Sequence, residues 1–426
     1  EAARPVLAAG RQYAPAHAGV RAALGACLLE LGEREAAETE LRAAIELDAD
    51  SVTAHRALAA LLLERGDADG AEPHAARAAA LAPDDAVAHE LRGAALLGQG
   101  RPEEALESLG RAIRLRPGHA PTRWRRAQAL LALGRFGDGL LEAEWRWPAL
   151  SIPRREPGRP LWDGKPLNGR TILLHSAAGA SETILLVRYT AHVAAAGGRV
   201  ILECTAPMLR LLGTAEHYDA LVLQGTNPLP PFDVHAPLES LPRIVGTRLG
   251  SIPGRVPYLR ALSDEAAVID RVPDALNVGL VWVDDSAGDE APGPGDLDAE
   301  TLAPILEVRG VAFHSLQRGP AARQLRRLPS RLRARVADAS LQLHDLADTA
   351  RAIADLDLLL AVDSPAAHIA GAIGRPAWVL LPRAPHWVWL TGRTDSPWYD
   401  AAPGTAPAGR LDRRRAGGGH RARRAQ

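Results

Sequence analysis

AVAHELRGAALLGQGRPEEALESLGRAIRLRPGH (86–119) sets the architecture of the first third of this chain. Two apolar-periodic stretches flank Gly100, and the layout recurs around Gly32, Gly66 and Gly134, each glycine 34 residues from the next. A fixed period of that length marks stacked helix–turn–helix units that bury their apolar faces against their neighbours. Each glycine supplies the left-handed turn between paired helices. Small residues recur in phase with it. Gly25, Ala59, Gly93 and Ala127 lie seven positions before, where two helices cross closely, and Ala37, Ala71, Ala105 and Gly139 lie five after. Twelve positions after come Ala44, Ala78 and Ala112, but Arg146 in the last unit, where the pattern breaks. Pro83 and Pro117 close two units just beyond a helix end.

This spacing and small-residue pattern resemble tetratricopeptide repeats, with units near 18–51, 52–85, 86–119 and a divergent 120–147 inside a repeat domain over 1–150. A solenoid of this kind presents an extended concave groove, so a protein or peptide partner is expected there. The second helix of the last unit reads GDGLLEAEWRWPAL (137–150), with Trp145 and Trp147 where small residues belong. Such aromatic residues are expected to cap the array against the next domain or to serve as ordinary core. SIPRREPGRPLWDGKPLNG (151–169) has no periodicity and is rich in proline and glycine, the composition of a linker.

The chain of 426 residues has length for roughly two to four domains. Its net charge of −1 gives no global field to recruit nucleic acid or an acidic membrane. The two cysteines, Cys27 and Cys204, fall in different predicted domains and offer neither a disulfide framework nor a metal cluster. A reducing, cytoplasmic setting is expected. No apolar run reaches the ~18 residues of a membrane span. The chain opens at Glu1 rather than at a methionine, which leaves room for an upstream segment.

From residue 171 strands alternate with helices. TILLHS (171–176), RVILECT (199–205) and ALVLQG (220–225) form a first series of strands. NVGLVWV (277–283), VAFHSLQ (311–317), LDLLLAVD (356–363) and PAWVLL (376–381) form a second, with helices predicted near 345–354 and over 365–374. This alternation predicts parallel sheets with helices on both faces. Two series predict two doubly wound halves, 151–275 and 276–400, with ligand at the carboxyl ends of the strands.

LWDGKPLNGRTILLH (161–175), RYTAHVAAAGGRVILEC (188–204), VGLVW (278–282), SLQRGP (315–320), HDLADTARAIADLDLLLAVDSPAAHIAGAIGRPAWVLLP (344–382) and DSPWY (395–399) resemble bacterial tetratricopeptide proteins. Those carry a C-terminal glycosyltransferase domain similar to the heptosyltransferase (glycosyltransferase family 9-like) family. The resemblance implies an N-terminal α-solenoid followed by a GT-B pair of Rossmann-like domains. It further implies a nucleotide-sugar donor held mainly by the second half, an acceptor held by the first, and metal-independent transfer.

VDSPAAHIAGAIG (362–374) has the physics of a phosphate site in its own right. A strand ends at Asp363, Pro365 suits the first helical turn, and Ser364 is placed to cap the helix whose amides and dipole face an anion. His368, one turn in, faces the same way as Ser364 and is placed to donate to a phosphate or ribose oxygen. The same residues also suit a plain strand-to-helix turn, with Asp363 a structural cap and His368 a buried histidine. Gln317 and Asp348 are expected near the same cleft, although Asp348 also suits a helix cap. Trp282, at the end of VGLVW, belongs to the expected cleft loops.

In the resembled family a Gly-x-Gly-Asp loop follows the first strand, its Asp the base for the acceptor hydroxyl. GASET (179–183) keeps Gly179, puts Ser181 for the second glycine and Glu182 for the Asp. Glu182 is the candidate general base, or it merely favours the N-terminus of the next helix. After VGLVW the family has basic residues, whereas this chain has VDDSAGDEAPGPGD (283–296), with Asp284, Asp285, Asp289, Glu290 and Asp296. Carboxylates there oppose a leaving diphosphate. The arginine-rich stretch 401–426 reads as a disordered basic tail. Two functions compete: a glycosyltransferase acting on an acceptor held by or near the repeats, and a catalytically silent adaptor that keeps the fold.

Overall fold

A computed structural model describes residues 3–155, 158–263, 266–284, 295–399 and 409–410. The chain divides into two compact units, Glu1–Pro153 and Arg154–Gln426.

In the first unit the helices pair as the period predicts: Ala18–Glu30 with Arg34–Leu47, Val52–Glu64 with Ala68–Leu81, Ala86–Gly98 with Pro102–Leu115, and Ala120–Ala132 with Phe136–Glu142. Gly32, Gly66, Gly100 and Gly134 all take φ between 68° and 78°. The helix crossings are as tight as the small residues imply. A Cβ added at Gly25 would stand 2.6 Å from Leu41 Cγ, and one at Gly93 2.5 Å from Leu109 Cγ. At the equivalent positions of the second and fourth units Ala59 and Ala127 face the register of Ala75 and Ala143, so glycine goes with leucine and alanine with alanine.

An extra helix, Ala3–Tyr13, precedes the first expected unit and lays Leu7 against Leu24, Leu28 and Ala37. It continues the period. Leu7 is in phase with Leu41, Ala75 and Leu109, and Pro15 with Ala49, Pro83 and Pro117. One basic residue per unit fastens the first helix to the turn before it. Arg21 Nε donates to Pro15 O at 2.7 Å and Arg123 Nε to Pro117 O at 2.6 Å. His55 Nε2 and His89 Nε2 donate to Ala49 O and Pro83 O at 3.0 and 2.9 Å. The opposite end of the side chain meets the second helix: Arg21 pairs with Glu40 and Arg123 with Glu142, both at 3.1 Å, while His55 Nδ1 faces His74 Nδ1 at 2.9 Å. At the end of the array Arg146 stacks on Trp147 at 4.3 Å and Arg123 on Trp145 at 4.9 Å.

The second unit holds two parallel sheets. The first contains β1 (Thr171–His175), β2 (Arg199–Cys204), β3 (Ala220–Leu223) and β4 (Val234–Pro237) in the order β3-β2-β1-β4. The second contains β5 (Leu276–Val281), β6 (Val311–Ser315), β7 (Val336–Asp338), β8 (Leu358–Val362), β9 (Ala377–Leu381) and β10 (Gly409–Arg410) in the order β10-β9-β8-β5-β6-β7. The architecture is therefore a helical-repeat solenoid followed by a GT-B-like pair of Rossmann-like sheets. The strands β4 and β7 escape the sequence pattern because they are four and three residues long and lie among prolines and arginines. Part of the expected linker also joins the first sheet: His235 N donates to Pro160 O at 3.1 Å and Trp162 N to His235 O at 2.8 Å. Of the basic 401–426 stretch, only Gly409–Arg410 lies within the described residues, paired with Leu380–Leu381.

The core of the second half gathers Val278, Leu280, Trp282, Phe313 and Leu360 from the strands with Leu302, Leu325 and Leu332 from the covering segments. Two contacts bring the strand ends of the halves together. The helix Ala180–Leu186, after β1, packs on the helix Pro365–Ala372, after β8. The short helix Leu209–Leu212, after β2, packs on Leu346–Ala354, and its Arg210 reaches Asp345 at 3.0 Å and Asp348 at 3.1 Å.

Candidate functional site

The loop after β1 is built around a carboxylate that sequence reasoning did not single out. Glu239 Oε1 accepts from Ser176 Oγ at 2.6 Å, Ala177 N at 3.0 Å and Ala178 N at 2.8 Å. Thr183 Oγ1 completes the knot by donating to Ser176 Oγ at 3.0 Å. Amides that would otherwise face an anionic ligand are thus neutralised from within the protein. Glu239 comes from PLES just past β4, a stretch with no motif, and only strand order brings it to β1.

Gly179 is the N-cap of the following helix, with φ −71° and ψ −173°, an extended conformation open to any residue. Ser181 lies in the first helical turn and not at positive φ, so a serine in place of the family's second glycine meets no backbone strain there. Glu182, also in the first turn, is half-buried and has no hydrogen bond or ion pair among the described residues. A first-turn carboxylate favours the helix N-terminus, and an unpartnered one keeps both oxygens available as proton acceptors.

On the donor side the polar atoms expected to meet a nucleotide sugar are largely engaged within the protein. Gln317 is fully buried; its Oε1 accepts from Trp282 N and Val283 N at 2.9 Å each, and its Nε2 donates to Val283 O at 3.1 Å and Arg318 O at 3.3 Å. It ties the end of β5 to the end of β6. Trp282 is core rather than cleft lining, fully buried with Nε1 donating to Gln324 Oε1 at 3.0 Å. Ser364 was expected to cap its helix, but its hydroxyl donates to Val362 O at 3.0 Å and makes no cap. Its φ of −163° and ψ of 164° carry the chain past the cap geometry.

His368 is buried, with Nδ1 2.6 Å from Tyr399 Oη and Nε2 3.4 Å from Asp363 Oδ1. His368 is therefore an interior link between the strand end and the DSPWY segment, as in the alternative of a buried histidine. Burial raises the Asp363 carboxyl, yet the hydrogen bond and charge of His368 outweigh it and hold the group below its ordinary value. Asp348 likewise keeps a lowered pKa: burial is opposed by the His344 N–H, Arg210 and Arg351. The helix cap itself is Asp345, which accepts from Ala347 N and Asp348 N at 2.9 and 3.0 Å. Asp348 instead helps to fix Arg210 of the first half.

Two further constellations were not singled out from the sequence. At the end of β1, His175 Nε2 lies 3.0 Å from His235 Nδ1, and burial, then His235 and Arg155, lower the His175 pKa to about 3. Arg188, from the first half, stacks on Tyr258 at 4.4 Å and Tyr399 at 5.1 Å, so one buried cation touches the inter-half linker and the end of the second half. In the acidic loop, Asp285, Asp289 and Glu290 lie outside the described residues, while Asp284 N donates to Asp296 Oδ1 at 2.8 Å. Among the described residues no group of three or more His, Cys, Asp or Glu could hold a metal ion, and no helix is long and apolar enough to cross a membrane.

The tetratricopeptide-repeat family profile matches residues 1–61 and 96–140. No curated protein sequence matches the chain. Among solved structures, MamA from Desulfovibrio magneticus RS-1 is 23% identical over 35% of this chain and 83% of its own, with a TM-score of 0.30. YrrB, described as a TPR protein with an unusual peptide-binding site, is 18% identical over 34% of this chain and 74% of its own, with a TM-score of 0.31. A mutant O-GlcNAc transferase of Thermobaculum terrenum is 16% identical over 87% of this chain and 83% of its own, with a TM-score of 0.32.

Proposed function

We propose that the chain is a metal-independent, heptosyltransferase-like glycosyltransferase of the bacterial cytoplasm, whose repeats hold a protein or peptide partner. The observation that carries this reading is the packing of helix Ala180–Leu186 on helix Pro365–Ala372. It draws the start of the helix after β1, with Glu182 unpartnered among the described residues, towards the loop after β8, with Asp363 and Ser364. Strand ends of two doubly wound halves are where such folds bind ligands. In the proposed reaction an acceptor hydroxyl attacks the anomeric carbon, Glu182 takes its proton, and the nucleoside diphosphate leaves.

Since Gln317, Ser364 and His368 spend their polar atoms internally, the donor's phosphates fall to backbone groups at the start of helix Pro365–Ala372. The side chains behind them set the backbone's position. The test is incubation of the full chain with a panel of nucleotide sugars, with bound mass and released nucleotide both measured. Nucleotide release with one donor supports the reading. Binding without release overturns the transfer step, and neither binding nor release leaves an adaptor that works through its repeats.

A further inference from the structure

Away from the strand ends, a cavity of about 220 Å³ opens between the helical stretch 187–192, the turn 215–217 and the inter-half linker 253–258. None of the residues discussed for donor or acceptor lines it. Its lining includes Arg188, His192, Glu216, His217, Arg255 and Tyr258. The single carboxylate, Glu216, is already engaged by Arg260, with His217 at 3.8 Å.

Arg188 is the unusual member. It is 5% exposed, and no carboxylate lies within ion-pair distance of it among the described residues. A buried cation without a counter-ion is costly unless its donors are met. Its Nε donates to Leu185 O at 2.9 Å, its Nη1 to Pro253 O at 3.0 Å and to Trp398 O, and its Nη2 to Tyr258 Oη at 2.9 Å. Four of the guanidinium's five N–H groups are thereby used, which leaves one, on Nη2. Arg255, also in the lining, is exposed and has no hydrogen bond or ion pair among the described residues. Two arginines with donors to spare and one neutralised carboxylate make a cationic pocket, with His192 and His217 as further polar lining.

We infer that this cavity is a binding site for a small phosphate monoester, separate from the proposed transfer site. Arginine forks suit phosphate oxygens. The volume takes a phosphate with a small carbon skeleton. The walls are consistent with such a ligand, since the Tyr258 ring and the linker prolines present apolar surface beside the cations.

The test titrates the full chain with inorganic phosphate and with ribose 5-phosphate at constant ionic strength, read by calorimetry and by thermal shift. Saturable binding of both, weakened at least tenfold by Arg255→Glu and unchanged by Arg326→Glu, is the expected result. Arg326 is an exposed arginine outside the cavity, so the pair separates a built site from general attraction to a basic surface. No saturable binding overturns the inference, as does an equal loss in both variants. Tighter binding of succinate than of either phosphate overturns the assignment of ligand class. The readout needs no nucleotide sugar, so it stands or falls independently of glycosyl transfer.

Discussion

The ring of Tyr399 lies across Gly371: a Cβ built on that glycine would stand 2.4 Å from Tyr399 Cδ1. The same tyrosine reaches His368 with its hydroxyl, so DSPWY is pressed on the helix after β8 and bonded to it. Gly371→Ala is expected to lower stability by about 1–3 kcal/mol, the usual cost of overpacking a well-filled contact. Tyr399→Phe is expected to cost about 0.5–1.5 kcal/mol for the lost hydrogen bond. Urea unfolding measures both, and a Gly371→Ala protein as stable as the parent would show that Tyr399 is free to move aside.

The repeats make a paired prediction. Gly93→Ala should destabilise the first unit by about 1–3 kcal/mol, because Leu109 already fills the space of the new methyl. Adding Leu109→Ala recreates the alanine–alanine pair found at Ala59 and Ala75, and should recover part of the loss. If the double variant is no better than the sum of the two single ones, the pairing of glycine with leucine is not what sets the helix crossing.

The solenoid was legible because a 34-residue period states the same local physics four times. Its earlier half-unit was equally present, in the phase of Leu7 and Pro15, but the leading helix has no turn glycine before it to draw the eye. The sheets were legible where strands are runs of four to six mainly apolar residues, β3 included. They were not at β4 and β7, where three or four residues are held by neighbours rather than by their own pattern. Site residues fared worse for a physical reason. Gln317 and His368 have the right chemistry at the right strand ends, yet whether a polar side chain faces a ligand or the interior depends on Val283 for the first and Tyr399 for the second, each more than 30 residues away in sequence. Glu239 carries no motif and Arg188 only opens a longer resembling stretch; strand order and the returning chain end give them their roles.

Acid should loosen the first sheet through the histidine pair. The His175 pKa is about 3 in the folded protein, against about 6.5 in an unfolded chain. Between those values the unfolded state binds more protons, so this group's contribution is complete above pH 6.5 and is lost as pH falls towards 3. The limiting slope for one proton is about 1.4 kcal/mol per pH unit. Between pH 6.5 and 5, before most carboxylates titrate, His175→Gln should flatten the fall in unfolding free energy. Equal slopes for the variant and the parent would mean that His175 takes up its proton without unfolding.

Glu182 is where the proposed chemistry is most exposed to refutation. Its carboxylate stands in the first helical turn after β1 with no partner among the described residues, whereas Glu239 is committed to Ser176, Ala177 and Ala178. If Glu182 accepts the acceptor's proton, Glu182→Gln should lower turnover by roughly 10²–10⁴-fold, the range for general-base catalysis, with donor affinity little changed. Glu182→Asp should retain most of the activity, or raise it if the longer side chain misplaces the oxygen. Glu239→Gln separates position from chemistry: it keeps the shape but weakens the three bonds that hold the loop. Its effect should fall on stability and acceptor KM before kcat. Unchanged turnover in Glu182→Gln, alongside a large loss of kcat in Glu239→Gln, would transfer the base role to Glu239.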